Sequence, residues 1–108
     1  MQLPTEIFGD VIVAHTLEEL GEGLAEAFEA YMREIEPRQV VLDLDNTETI
    51  DSAGLTAVLN AQDELRKSGG NLKIATSNAI NRKILEITRL DQRLEAFDSV
   101  IDAVKSYQ

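Results

Sequence analysis

The sequence predicts one small α/β domain with a mostly parallel sheet. Three observations lead there. The chain has 108 residues, enough for a single hydrophobic core. Short β-branched runs alternate with stretches of helical periodicity, the order expected when helices cross over between parallel strands. Val40-Val41-Leu42-Asp43-Leu44 is apolar without clean alternation, as suits a strand covered on both faces at a sheet centre. About four strands and about four helices, mainly on one face, are expected over residues 1–108.

Taken in order, Asp10–Ala14 follows a Gly-Asp turn signal and reads as a strand, with Thr5–Phe8 as a frayed edge strand beside it. Leu20, Leu24, Phe28, Tyr31/Met32 and Ile35 recur at helical spacing between glutamates, which predicts an amphipathic helix from about Leu17 to Ile35. Gly21 and Gly23 weaken its start and Pro37 ends it. After the central strand, a second helix runs from about Ser52 to Lys67, its apolar stripe interrupted at Gln62 and its end marked by Ser68-Gly69-Gly70. Leu72–Ala75 is another strand. Ser77 or Asn78 can cap a third helix carrying Ile80, Ile84, Leu85 and Ile87. Val100, Ile101 and Val104, with Tyr107 one turn on, suggest a last short helix.

Charge narrows the partners. The net charge is −10, and residues 1–54 hold 13 acids against 2 bases. Such a surface repels phosphate backbones and anionic lipids, so nucleic acid and membranes are poor partners and a basic protein surface is the natural complement. The same charge also serves plain solubility. With no cysteine and one histidine, His15, neither a thiolate nor a multi-histidine metal centre is available, and no cofactor is expected. The first residues lack the basic and apolar regions of a signal peptide, which makes the cytoplasm the expected compartment.

In α/β sheets function gathers beyond the carboxyl ends of the strands. That points to Asp45-Asn46-Thr47-Glu48-Thr49-Ile50-Asp51-Ser52-Ala53-Gly54-Leu55. Asp51 or Ser52 can cap the helix that starts there. Ala53 and Gly54 are small, and a glycine in a first helical turn calls for a reason, such as close approach of a neighbour or a partner. An ordinary capped helix start is the plainer reading. The sharper one makes Ser52 a switch: a phosphate there carries about −1.5 to −2 charges. The helix dipole would accept it, and a docking surface needing a neutral spot would be repelled.

The central strand, Ile50-Asp51-Ser52-Ala53-Gly54-Leu55, the following helix, Gly69-Gly70 and Leu72–Ala75 together resemble the STAS domain of bacterial anti-sigma factor antagonists. Ile84–Asp91, Leu94 and Phe97 are similar to that family's closing helix and turn. The resemblance covers roughly residues 40–105. It implies that Ser52 is the phosphoacceptor and that Asp45, Asn46, Thr49, Asp51, Ser52, Ala53, Gly54 and Leu55 form the docking patch. It also implies a non-catalytic protein that binds an anti-sigma factor, itself often the serine kinase, and is released on phosphorylation. A non-phosphorylated STAS subunit of a transport or stressosome-like assembly is the alternative. Two departures stand out: Leu17–Gly21 replaces the family's Gly-Glu-Leu-Asp-like turn, and Arg89 stands where a glycine is common.

Asp43-Leu44-Asp45-Asn46-Thr47 also resembles the Asp-x-Asp-x-Thr motif of haloacid-dehalogenase-type phosphatases, with Asp43 as nucleophile, Asp45 as acid/base and Ile74-Ala75-Thr76-Ser77 offering a strand-end hydroxyl as the second motif. No acid pair follows a later strand to complete a magnesium site, so this reading ranks below the others. Phe8, Phe28, Tyr31, Phe97 and Tyr107 are too scattered to stack bases. Arg82, Lys83, Arg89 and Arg93 read as a solvated face or a contact for an acidic partner.

Overall fold

The computed structural model describes residues 1–108. In chain order the strands are β1 (Thr5–Phe8), β2 (Val11–His15), β3 (Glu19–Leu20), β4 (Gln39–Asp43), β5 (Thr49–Ile50), β6 (Asn71–Ala75) and β7 (Ala96–Phe97). The helices are α1 (Ala25–Glu34), α2 (Ser52–Lys67), α3 (Ala79–Ile87) and α4 (Val100–Lys105), with a 3-10 turn at Leu90–Gln92. Five strands form the main sheet in the order β1-β2-β4-β6-β7. Only β1 runs antiparallel, pairing Thr5 with Ala14 through Phe8 with Val11. A separate two-stranded parallel pair joins β3 to β5.

The central register places His15 opposite Asp43 and Asp43 opposite Ala75. Alternate residues therefore face opposite layers. Ile12, Ala14, Val40, Leu42, Leu72 and Ile74 enter one core with Phe28 and Met32 of α1, Val58 and Leu65 of α2 and Leu85 of α3. Val11, Val13, Val41 and Ala75 meet Ala103 and Val104 of α4 on the other side. Three of the four helices thus lie on one face, as expected.

Two expectations need correction. The sheet has five strands rather than about four, because Ala96 and Phe97 pair with Ile74 and Ala75 at its far edge. The first helix begins at Ala25, not near Leu17. Its would-be first turns are instead β3 and a turn at Gly21, drawn off by pairing with β5.

Helix boundaries otherwise follow local chemistry. The amide of Gly70 reaches the Leu65 carbonyl at 2.8 Å and that of Gly69 reaches Arg66 at 3.1 Å, with Gly69 at φ +84. This is the two-bond glycine stop that satisfies the last carbonyls of α2. Asn78 is the cap of α3, accepting from the amides of Ile80 and Asn81. Gln62, the gap in the apolar stripe of α2, is buried and donates its side-chain amide to the Arg93 carbonyl at 3.1 Å. A polar group in the core is tolerated because it is bonded.

Behind the sheet, the Lys73 ammonium is buried, 2.8 Å from the Ser106 hydroxyl and 3.2 Å from Glu95. It lies 4.1 Å from the centre of the Tyr107 ring. The Tyr107 hydroxyl donates to the Val40 carbonyl at 2.8 Å, so the chain's last turn is fastened to the central strand. Burial pushes that phenol well above its ordinary pKa.

Candidate functional site

The segment from Leu44 to Leu55 lies beyond the carboxyl end of β4 and is fastened on two sides. On one side, the amides of Glu48 and Thr49 donate to the Glu18 carbonyl at 2.8 and 3.1 Å, and that of Asp51 to Leu20 at 3.3 Å. On the other, the buried Asn81 side chain donates to the carbonyls of Leu44 and Thr47 at 2.9 and 3.1 Å. Thr47 is fully buried, donates to the Leu17 carbonyl at 2.7 Å, and its hydroxyl meets that of Thr16. The loop is thus held rigidly between β3 and α3.

Asp51 supplies the helix cap. One carboxylate oxygen accepts the Gly54 amide at 2.9 Å, and the other accepts the Glu22 amide at 3.0 Å. These backbone bonds, that from Gly54 foremost, hold its carboxyl below the usual carboxylate range. A Cβ on Gly21 would come within 2.7 Å of that carboxylate. A Cβ on Gly54 would come within 2.0 Å of the Leu20 carbonyl oxygen.

Ser52 is the first residue of α2 and is exposed. Asp45, Asn46, Thr49 and Asp51 are exposed with it, as are Glu18, Glu19, Glu22 and Glu48. Ala53 and Leu55 are half-buried, and Leu55 packs against the main core. Gly54 is buried. Of the expected docking residues, Gly54 therefore serves internal packing against Leu20 and offers no outward surface.

The two carboxylates of the Asp-x-Asp motif diverge. Asp43 is buried, with one oxygen on the Asp45 amide at 3.0 Å and the other 2.7 Å from Nδ1 of His15. Asp45 turns outward and accepts from the Thr76 hydroxyl at 3.1 Å, the Ser77 amide at 2.6 Å and the Ser77 hydroxyl at 3.2 Å. No three histidine or acidic side chains converge in a way that could hold a metal ion. Each carboxylate fastens one strand end to the next. His15 is half-buried and also lies 2.8 Å from Glu6 through Nε2.

A model described as the STAS domain matches residues 5–103. This chain belongs to the STAS domain family. Relatives and solved structures similar to it carry the name anti-sigma factor antagonist. A Thermotoga maritima candidate of that name is 24% identical over 106 residues, covering 94% of each chain. A crystal structure from the same organism superposes with a TM-score of 0.85, covering 96% of this chain and 92% of that one. A Thermotoga neapolitana homologue is 27% identical over 70 residues, which is 65% of this chain and 62% of that relative, under two thirds of its length. A Wolinella succinogenes sulfate transporter family protein shares the STAS fold at TM-score 0.80 and 19% identity, covering 94% of this chain and 87% of that one.

Within this STAS domain the sequence pointed to the loop and to Ser52 but missed what fixes them. Asn81 and Ser77 reach the loop from α3 and its approach, over thirty residues away along the chain. The signal available was an asparagine among the apolar residues of a short helix. No helix of the domain is long and apolar enough to cross a membrane.

Proposed function

We propose that this STAS domain is an anti-sigma factor antagonist, a non-catalytic cytoplasmic switch in transcription control that binds an anti-sigma factor acting as a serine kinase. The docking patch is Asp45, Asn46, Thr49, Asp51, Ser52 and the adjoining Ala53 and Leu55. The observation that carries this reading is the exposure of Ser52 at the first position of α2 inside a rim of carboxylates. Its hydroxyl attacks the γ-phosphoryl of ATP held by the kinase, ADP leaves, and the hydroxyl proton is lost. The added charge sits at a helix N-terminus, so the fold tolerates it. The part of the docking surface that covers the Ser52 hydroxyl needs a neutral group there, so the charge and bulk of the phosphate break the fit.

The test combines capture and mass. Wild type, Ser52→Ala and Ser52→Asp chains are immobilised and offered host extract with ATP, and the intact mass of each is then measured. Phosphorylation of wild type alone, with an anti-sigma factor held by Ser52→Ala and refused by Ser52→Asp, supports the proposal. Equal capture by all three removes Ser52 from the mechanism. The fold shared with a transporter-family protein favours a second reading, a non-phosphorylated subunit of a transport or stressosome-like complex. A stable complex with no added phosphate selects it.

A further inference from the structure

Helix α3 is turned inside out relative to an ordinary surface helix. Its inward positions include Asn81, buried to 1% exposure, alongside Leu85. Its outward positions include Ile80 and Ile87, at 68% and 71% exposure, with the half-buried Ile84 between them. Spacings of four and three residues put these isoleucines on one stripe. Burying a polar amide while exposing large apolar groups opposes the hydrophobic effect, and such a patch marks a contact surface. The buried amide is the group that clamps the docking loop at Leu44 and Thr47, and Asp45 ties the same loop to Ser77 just before α3. The helix that carries the stripe is therefore fastened directly to the loop.

We propose that the Ile80–Ile84–Ile87 stripe is the apolar half of the docking surface, covered by the same partner that contacts Ser52. The inference rests on the docking reading above and adds the partner's chemistry. On α3 the exposed Lys83 lies 3.9 Å from the exposed Glu86, so the charges beside the stripe offset each other, whereas Glu18, Glu19, Glu48 and Asp51 stand exposed around the loop without such balance. The matching partner surface is apolar on the side meeting α3 and carries lysines or arginines on the side meeting the loop. Each half then excludes the reversed orientation.

The experiment places the photo-cross-linker p-benzoylphenylalanine in the full chain at Thr49, at Ile87, or at Ile101. Ile101 is a similarly exposed isoleucine on α4, behind the sheet. After irradiation in host cells, the adducts are identified by mass. The same polypeptide at Thr49 and Ile87, absent at Ile101 and lost from both when Ser52→Asp is added, is the expected result. An adduct at Thr49 without one at Ile87 overturns this inference and leaves the docking loop standing. So does a different protein, or a second copy of this chain, at Ile87. No adduct at Thr49 overturns both readings. With the cross-linked polypeptide purified, Ile80→Gln/Ile87→Gln is expected to weaken binding about tenfold or more with the melting temperature unchanged; unchanged affinity overturns the inference.

Discussion

Gly54 and Leu20 touch backbone to backbone: the carbonyl oxygen of Leu20 occupies the space, 2.0 Å away, where any side chain at position 54 would begin. The small residue at the start of α2 is therefore a requirement of the fold, which lets β3 lie against the helix that presents Ser52.

Gly54→Ala is expected to destabilise the domain by about 3 kcal/mol, because the obstructing atom is backbone and cannot swing aside. Gly23→Ala is its control, since a Cβ there meets nothing within 4 Å. That change is expected to be neutral or stabilising by about 0.5 kcal/mol. Urea unfolding of both variants checks the pair, and equal midpoints would refute the packing account.

His15 makes stability depend on pH. Its imidazole has a carboxylate at each nitrogen, Asp43 at 2.7 Å and Glu6 at 2.8 Å. A neutral ring can donate to only one of them. Partial burial lowers its pKa, but the bonds and charges of Glu6 and Asp43 outweigh this and raise it above 6.5. A raised folded value means the stabilisation is fully present below about pH 6.5 and is lost as pH rises through the folded pKa. The melting temperature should fall from pH 6 to pH 9 by more in wild type than in Glu6→Gln. Identical slopes would remove the bridge from the account.

Arg89 occupies the left-handed region at φ +61, where a Cβ is penalised. Arg89→Gly relieves that strain at the cost of a more flexible unfolded chain, for a net stabilisation of about 0.5–1 kcal/mol. A rise in thermal midpoint is the expected reading.

Asn81→Leu removes both donors that hold the loop after β4 and leaves the carbonyls of Leu44 and Thr47 without them. A loss of about 2–4 kcal/mol is expected. Faster amide exchange at Thr47, whose own amide bonds to Leu44 at 3.0 Å, should accompany it.

The sequence carried the strand–helix alternation because each long element satisfies its own local pattern. Val40–Leu44 announced the sheet centre, and the glycine pair after Lys67 announced a helix end. What escaped depends on distant partners. Glu19 and Leu20 sit in a helical pattern yet become a strand, because Thr49 and Ile50 are there to pair with. Ala96 and Phe97 are too short a run to signal a strand and gain their identity from β6. At the site, Ser52 was legible from its cap, but Gly54 could equally have faced a partner. Only the position of Leu20, thirty-four residues earlier, decides that it faces inward.

One carboxylate, that of Asp51, holds the amides of both Glu22 and Gly54, with Gly21 reduced to hydrogen to make room for it. The two halves of this knot cannot drift independently during evolution. Positions 21 and 51 should be inherited as a pair, and a lineage that gives up the carboxylate at 51 should be free to carry a side chain at 21.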